Sequence, residues 1–87
     1  MIALERYKPL KIVSRKGVYE ILQAMKYEGK KFSELMFITK LNPGILDRHL
    51  KALMKSQLVE KDGGIYRLTE KGKKAVELLE QLVKALN

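Results

Sequence analysis

Three cations recur on one helical spacing. Arg48, Lys51 and Lys55 stand at i, i+3 and i+7 in a segment that also places Leu46, Leu50 and Leu53 at i, i+4 and i+7. At ~100° per residue the three leucines fall within ~60° of one another, and Gly44, Arg48, Lys51 and Lys55 gather on the opposite side. Guanidinium and ammonium groups in such a row do not activate a nucleophile; they hold oxyanions. The chemistry on offer is therefore recognition of an acidic partner.

No competing chemistry assembles around it. The chain has a single histidine, His49, and no cysteine. It also lacks a nucleophile–base pair and a glycine-rich phosphate cradle, so there is no constellation to assign to catalysis. A thiolate zinc site, a redox pair and a disulfide framework are ruled out by the missing cysteines. His49 lies at the border of the leucine face, where a solitary histidine is expected to pack or make one structural hydrogen bond rather than ligate a metal. The expectation is a non-enzyme without cofactor or metal.

Eighteen Lys+Arg against ten Asp+Glu in 87 residues leave a formal net charge of +8, and the isoelectric point is about 9.8. On one small domain with one core, that excess favours contact with polyanions. No apolar run is long enough to span a bilayer. Glu5, Arg6 and Lys8 interrupt the first ten residues, unlike a signal peptide. The expected location is the cytoplasm, on the nucleoid. Lys and Glu dominate the charge while Asn and Gln are sparse, a composition that leans towards a thermophile.

These cations must be positioned by elements that the pattern also indicates. Residues 1–13 lack a clear period, contain Pro9, and read as an N-terminal arm or irregular lead-in. Ser14 is placed to cap a first helix with Val18, Ile21, Leu22 and Met25 on one face and Gly29 at its end. A short strand over Lys30–Phe32 and a second helix from Ser33 to about Lys40 follow. Asn42 caps the cationic helix, Pro43 occupies its first position without loss of a hydrogen bond, and the helix runs to about Ser56.

Leu58–Lys61 and Ile65–Leu68 flank Asp62-Gly63-Gly64 as a tight hairpin, completing a unit over residues 14–68. Thr69 caps a last helix over residues 69–87, through about Leu86, whose apolar residues cover more than one face. One edge suits the domain's own core. The other, at the 75/79/82/86 spacing of Ala75, Leu79, Leu82 and Leu86, suits a second subunit. The expected fold is α+β and mostly α, a winged helix-turn-helix with a C-terminal dimerisation helix.

Phe32-Ser33-Glu34-Leu35, the run from Leu46 through Asp47-Arg48-His49-Leu50-Lys51-Ala52 to Leu53, Leu58-Val59-Glu60 and Leu68-Thr69-Glu70-Lys71-Gly72 stand in this order and spacing. The chain from Val18 to about Val76 thereby resembles the winged-helix DNA-binding transcriptional regulators of the HxlR, ArsR and MarR groups. The resemblance implies that the helix over 42–56 enters the major groove of double-stranded DNA, that the hairpin touches flanking backbone, and that terminal helices form a homodimer. Gln57 stands where these families usually have a glycine, so the helix is expected to end without a left-handed cap. Asp47 stands where they often have serine. The metal-sensing cysteines of the ArsR group are lacking.

On that reading Arg48, nearest the helix start, is placed for a guanine edge, and Lys51 and Lys55 for phosphates. Ile45 is suited to a thymine methyl. Asn42 and Gly44 are open to two readings each: groove contact, or capping and steric permissiveness alone. Asp47 either accepts from a cytosine amine or favours the helix N-terminus. Lys61 and Arg67 bracket the hairpin turn and suit phosphate, as do Ser33 and Thr39 at the ends of the second helix. Arg15 and Lys16 extend the basic surface, and Lys71, Lys73 and Lys74 oppose the dipole of their own helix. Two other functions use the same fold: a protein–protein adaptor that never touches DNA, and a chromatin-coating protein indifferent to sequence.

Overall fold

A computed structural model describes residues 7–87. Among these residues five helices and a three-stranded sheet follow in the order α1 (Lys8–Val13), α2 (Val18–Ala24), β1 (Lys30–Lys31), α3 (Phe32–Thr39), α4 (Pro43–Lys55), β2 (Val59–Asp62), β3 (Ile65–Leu68) and α5 (Glu70–Leu86). The sheet is antiparallel with β3 in the centre. Val59 pairs with Leu68, and Lys61 and Lys30 both pair with Tyr66, from opposite sides. This is the expected winged helix-turn-helix with a long C-terminal helix.

The core lies where α2, α3 and α4 meet the sheet. Val18, Ile21, Leu22, Leu35, Leu46, Leu50 and Leu53 are each 0 % exposed. Full burial of one such aliphatic side chain is worth ~1.5–3 kcal/mol over leaving it in water. Leu58, Val59, Tyr66 and Leu68 close the core from the sheet side, and Val76 closes it from α5. A second, polar tie holds α5 to the end of α2: the Glu80 carboxylate accepts from Lys26 Nζ at 2.6 Å and from Gln23 Nε2 at 2.8 Å. Hydrogen bonding to Lys26 comes first, then to Gln23, in holding the Glu80 carboxyl below its usual range.

Five local expectations need correction. Residues 8–13 are helical, with Pro9 in the first turn where it costs no hydrogen bond; the rest of the expected arm, residues 1–6, lies outside the described residues. Ser14 ends α1 instead of starting α2, its hydroxyl donating to the Lys11 carbonyl. Gly17, at φ 90°, occupies the α2 cap position, and α2 stops at Ala24, well before Gly29. Helix α3 begins one residue earlier than Ser33, with Glu34 Oε1 accepting from the Lys31 backbone at 2.8 Å. In the hairpin Asp62 is still a paired strand residue. The two turn residues are Gly63 and Gly64, at φ 56° and 87°, the pair of positive angles that a two-residue hairpin turn requires.

Candidate nucleic-acid interface

Asn42 starts α4 as its sequence position suggests, its Oδ1 accepting from the Ile45 backbone at 2.8 Å. The helix then turns Leu46, Leu50 and Leu53 wholly into the core, while Gly44, Arg48, Lys51 and Lys55 are exposed. Periodicity thus becomes a surface: one ridge carries three cations across about two turns of helix. Arg48 has no carboxylate within ion-pairing distance among the described residues. Lys51 is paired one turn back with Asp47 at 2.9 Å. That hydrogen bond is the main reason its ammonium pKa is raised. Asp47 therefore has a use inside the helix, orienting Lys51, with no cytosine needed to explain it.

The far end of α4 closes in a way the sequence did not suggest. Gln57 takes φ 63° itself. The Leu58 N–H reaches the Leu53 carbonyl at 2.9 Å and the Gln57 N–H reaches Met54 at 3.0 Å, the paired bonds of a left-handed helix end usually given to glycine. The expectation that α4 would lack a left-handed cap was wrong. What holds a glutamine there is the start of α5. Thr69 Oγ1 donates to the Gln57 carbonyl at 2.6 Å while accepting from the Gly72 N–H, the Thr69 N–H donates to Leu58, and Lys71 Nζ donates to the Ser56 carbonyl at 3.2 Å.

The Leu68-to-Gly72 run is therefore a clamp on the C-terminal end of α4. Gly72 is buried against it so closely that a Cβ would overlap the Leu58 carbonyl oxygen. Lys71 spends its charge on the negative end of α4, and Lys73 pairs with Glu70 at 3.3 Å. Both lysines find partners within the chain.

Other expected contacts are placed unevenly. Ser33 is exposed in the first turn of α3. The Thr39 hydroxyl is occupied, donating to the Leu35 carbonyl at 2.7 Å. Ile45 is an exposed apolar residue at the helix start, 36 % exposed. Paired residues share a face of an antiparallel ladder. Lys61 opposite Tyr66 and Arg67 opposite Glu60 therefore lie on different faces of the wing, and the structure does not bring these two cations together. Lys61 Nζ sits 5.2 Å from the Tyr66 ring centre and Arg67 pairs with Asp62 at 3.5 Å. Tyr66 itself is a core residue, 6 % exposed. His49 makes one structural contact, Nε2 to the Lys16 carbonyl at 3.1 Å, which ties α4 to the segment before α2.

Along α5, Ala75 and Leu79 pack partly against the domain's own core. Leu82 and Leu86 are exposed, and so are Leu78 and Val83, which the 75/79/82/86 spacing left out. No helix among the described residues is long and apolar enough to cross a membrane.

Comparison with known proteins places this geometry in context. The family model described as winged helix-turn-helix matches residues 14–87. An uncharacterised HTH-type transcriptional regulator of Methanocaldococcus jannaschii is 35% identical over 80 residues, covering 82% of this chain and 75% of the relative. Quinone-bound YodB from B. subtilis superposes with a TM-score of 0.81 at 25% identity, over 94% of this chain and 93% of that one. A possible HxlR family transcriptional factor from Thermoplasma volcanium gives 0.76 at 29% identity, over 88% and 76%.

Proposed function

The chain belongs to the winged helix-turn-helix family of transcriptional regulators, and on that premise we propose that it binds double-stranded DNA with sequence preference, as a homodimer, through α4 in the major groove. The carrying observation is the exposed ridge of Arg48, Lys51 and Lys55 opposite three leucines that are 0 % exposed. Arg48, unpaired among the described residues and nearest the helix start, reads a base edge, bidentate to guanine. Lys51, held by Asp47, and Lys55 hold phosphates. Ser33 and the turn at Thr39 and Asn42 approach the backbone beside the groove, Ile45 meets a thymine methyl, and Lys61 and Arg67 each touch flanking backbone from their own face of the wing.

The exposed stripe of Leu78, Leu82 and Leu86 on α5, with Ala75 and Leu79 at its inner edge, meets its twin in a second subunit. That pairing sets two recognition helices about 34–36 Å apart on a pseudo-palindromic site. The protein acts in the cytoplasm, on the nucleoid.

A binding titration on duplexes selected from a random pool tests the proposal. Arg48→Ala flattens discrimination at one base position by ~1–3 kcal/mol, whereas Lys55→Ala weakens all duplexes alike and lowers the salt slope by ~1. Equal wild-type affinity for unrelated duplexes would point to sequence-indifferent coating, and no duplex binding at physiological salt to an adaptor. Either result rejects the proposal.

A further inference from the structure

Helix α1 lies beside the C-terminal end of α4 and encloses a groove of about 830 Å³ with it. Half of the lining residues are cations: Lys8, Lys11 and Arg15 from α1 and its exit, Lys55 from α4, and Lys71 from α5. No Asp or Glu among the described residues lines it. Over the whole chain, 18 of 87 residues are Lys or Arg and 10 are acidic, so an acid-free groove this basic departs from the chain's own composition. None of these five has a carboxylate within ion-pairing distance among the described residues. Lys26, Lys30, Lys51, Arg67 and Lys73 elsewhere in the chain do have one, while Lys16, Lys31, Lys40, Arg48, Lys61, Lys74 and Lys84 are like the groove cations in having none among the described residues.

The end of a helix ordinarily presents carbonyl oxygens that repel an anion. Here the two carbonyls beyond α4 are taken: Ser56 accepts from Lys71 and Gln57 accepts from Thr69. The groove thereby keeps its positive character at the one place where α4 would subtract from it. Ile12 and Ala52 give it an apolar floor, and Ile12 packs against the core, so α1 is anchored while its lysines stay exposed.

We infer that this groove is a phosphate site, in which α1 clamps the DNA backbone where it leaves the end of the recognition helix. The inference rests on the DNA-binding reading for its choice of source. Lys55 lines the groove and also belongs to the ridge that carries Arg48 and Lys51, so the two basic surfaces meet at this residue. Soluble polyphosphate offers the same oxyanions and is the other source to separate.

The triple variant Lys8→Gln, Lys11→Gln, Arg15→Gln removes three charges from exposed positions and leaves α4 intact. Its far-UV dichroism and melting curve, matched to wild type, verify folding. In the duplex arm, log Kobs is followed against log[salt]. Three lost phosphate contacts make the slope shallower by about 2.7 per protomer, since each is worth ~0.9, while the preferred sequence is unchanged. In the second arm, calorimetry with inorganic triphosphate reads the groove alone.

A shallower duplex slope in the variant assigns the groove to DNA backbone. An unchanged slope with triphosphate binding lost assigns it to a soluble polyphosphate. Unchanged behaviour in both arms overturns the inference. Should the wild type bind no duplex at all, the proposed function fails, and the triphosphate arm still decides the groove.

Discussion

Gly44→Ala separates what the fold needs from what a DNA partner needs. Gly44 sits in the first turn of α4, exposed, and a Cβ built there would meet only Asn42 Oδ1, at 3.5 Å, an ordinary contact. Nothing among the described residues requires a missing side chain at this position. Alanine loses less backbone entropy on folding and suits a helical position better, so the variant gains ~0.4–1 kcal/mol. For a domain of this size that raises the melting temperature by about 2–8 °C. A groove wall packed against the bare Cα has no room for the added methyl, and overpacking of that kind costs ~1–3 kcal/mol. The dissociation constant then rises roughly 5- to 150-fold. Thermal denaturation and fluorescence anisotropy on one preparation give both quantities. A variant that melts higher and binds as tightly as wild type would refute the close approach. One that melts lower would refute the claim that the fold has space there.

Three further outcomes follow from the packing around α4 and α5. Gln57→Gly relieves a left-handed glutamine, worth ~1–2 kcal/mol, against the ~0.5–1 kcal/mol of extra glycine entropy, so the urea midpoint moves up, and a lower midpoint would show the side chain to be needed. Gly72→Ala drives a methyl into the Leu58 carbonyl and destabilises by about 3 kcal/mol or more, read as a collapse of the denaturation midpoint; a near-neutral result would mean that α5 does not bear on the end of α4 as described. Glu80, its pKa lowered mainly by Lys26, stabilises the fold most at neutral pH. That share is present above the unfolded glutamate value and is lost as pH falls through the lower folded value. The melting temperatures of wild type and Glu80→Gln should therefore differ at pH 7 and converge in acid, and a gap that widens in acid would contradict the sign.

The helices of the helix-turn-helix, and the ridge itself, were legible because periodicity is a local signal. Leu46, Leu50 and Leu53 could face inward only by turning Arg48, Lys51 and Lys55 outward. The Asn42-Pro43 start and the Thr69 cap were legible for the same reason. What escaped the sequence depends on neighbours distant in the chain. Residues 8–13 have no apolar period long enough to declare a helix; α1 is held by its contact with α4, and its lysines become a site only there. Gln57 goes left-handed because Thr69 and Lys71 satisfy the carbonyls beside it. Leu68 to Gly72 looked like a family motif with no stated task, since its task is to hold the end of another helix. The wing cations, similar on paper, were parted by strand parity once the register was known.

The proposed binding mode lays the cationic ridge of α4 in the major groove with Arg48 on a guanine. Methylation interference measures this directly, because dimethyl sulfate marks guanine N7, which projects into that groove. Guanines at symmetric positions in a selected site should block wild-type binding when methylated, and the block at one position per half-site should vanish for Arg48→Ala while persisting for Lys55→Ala. Interference that is identical for the wild type and both variants, or found only at adenine N3 in the minor groove, would contradict the account.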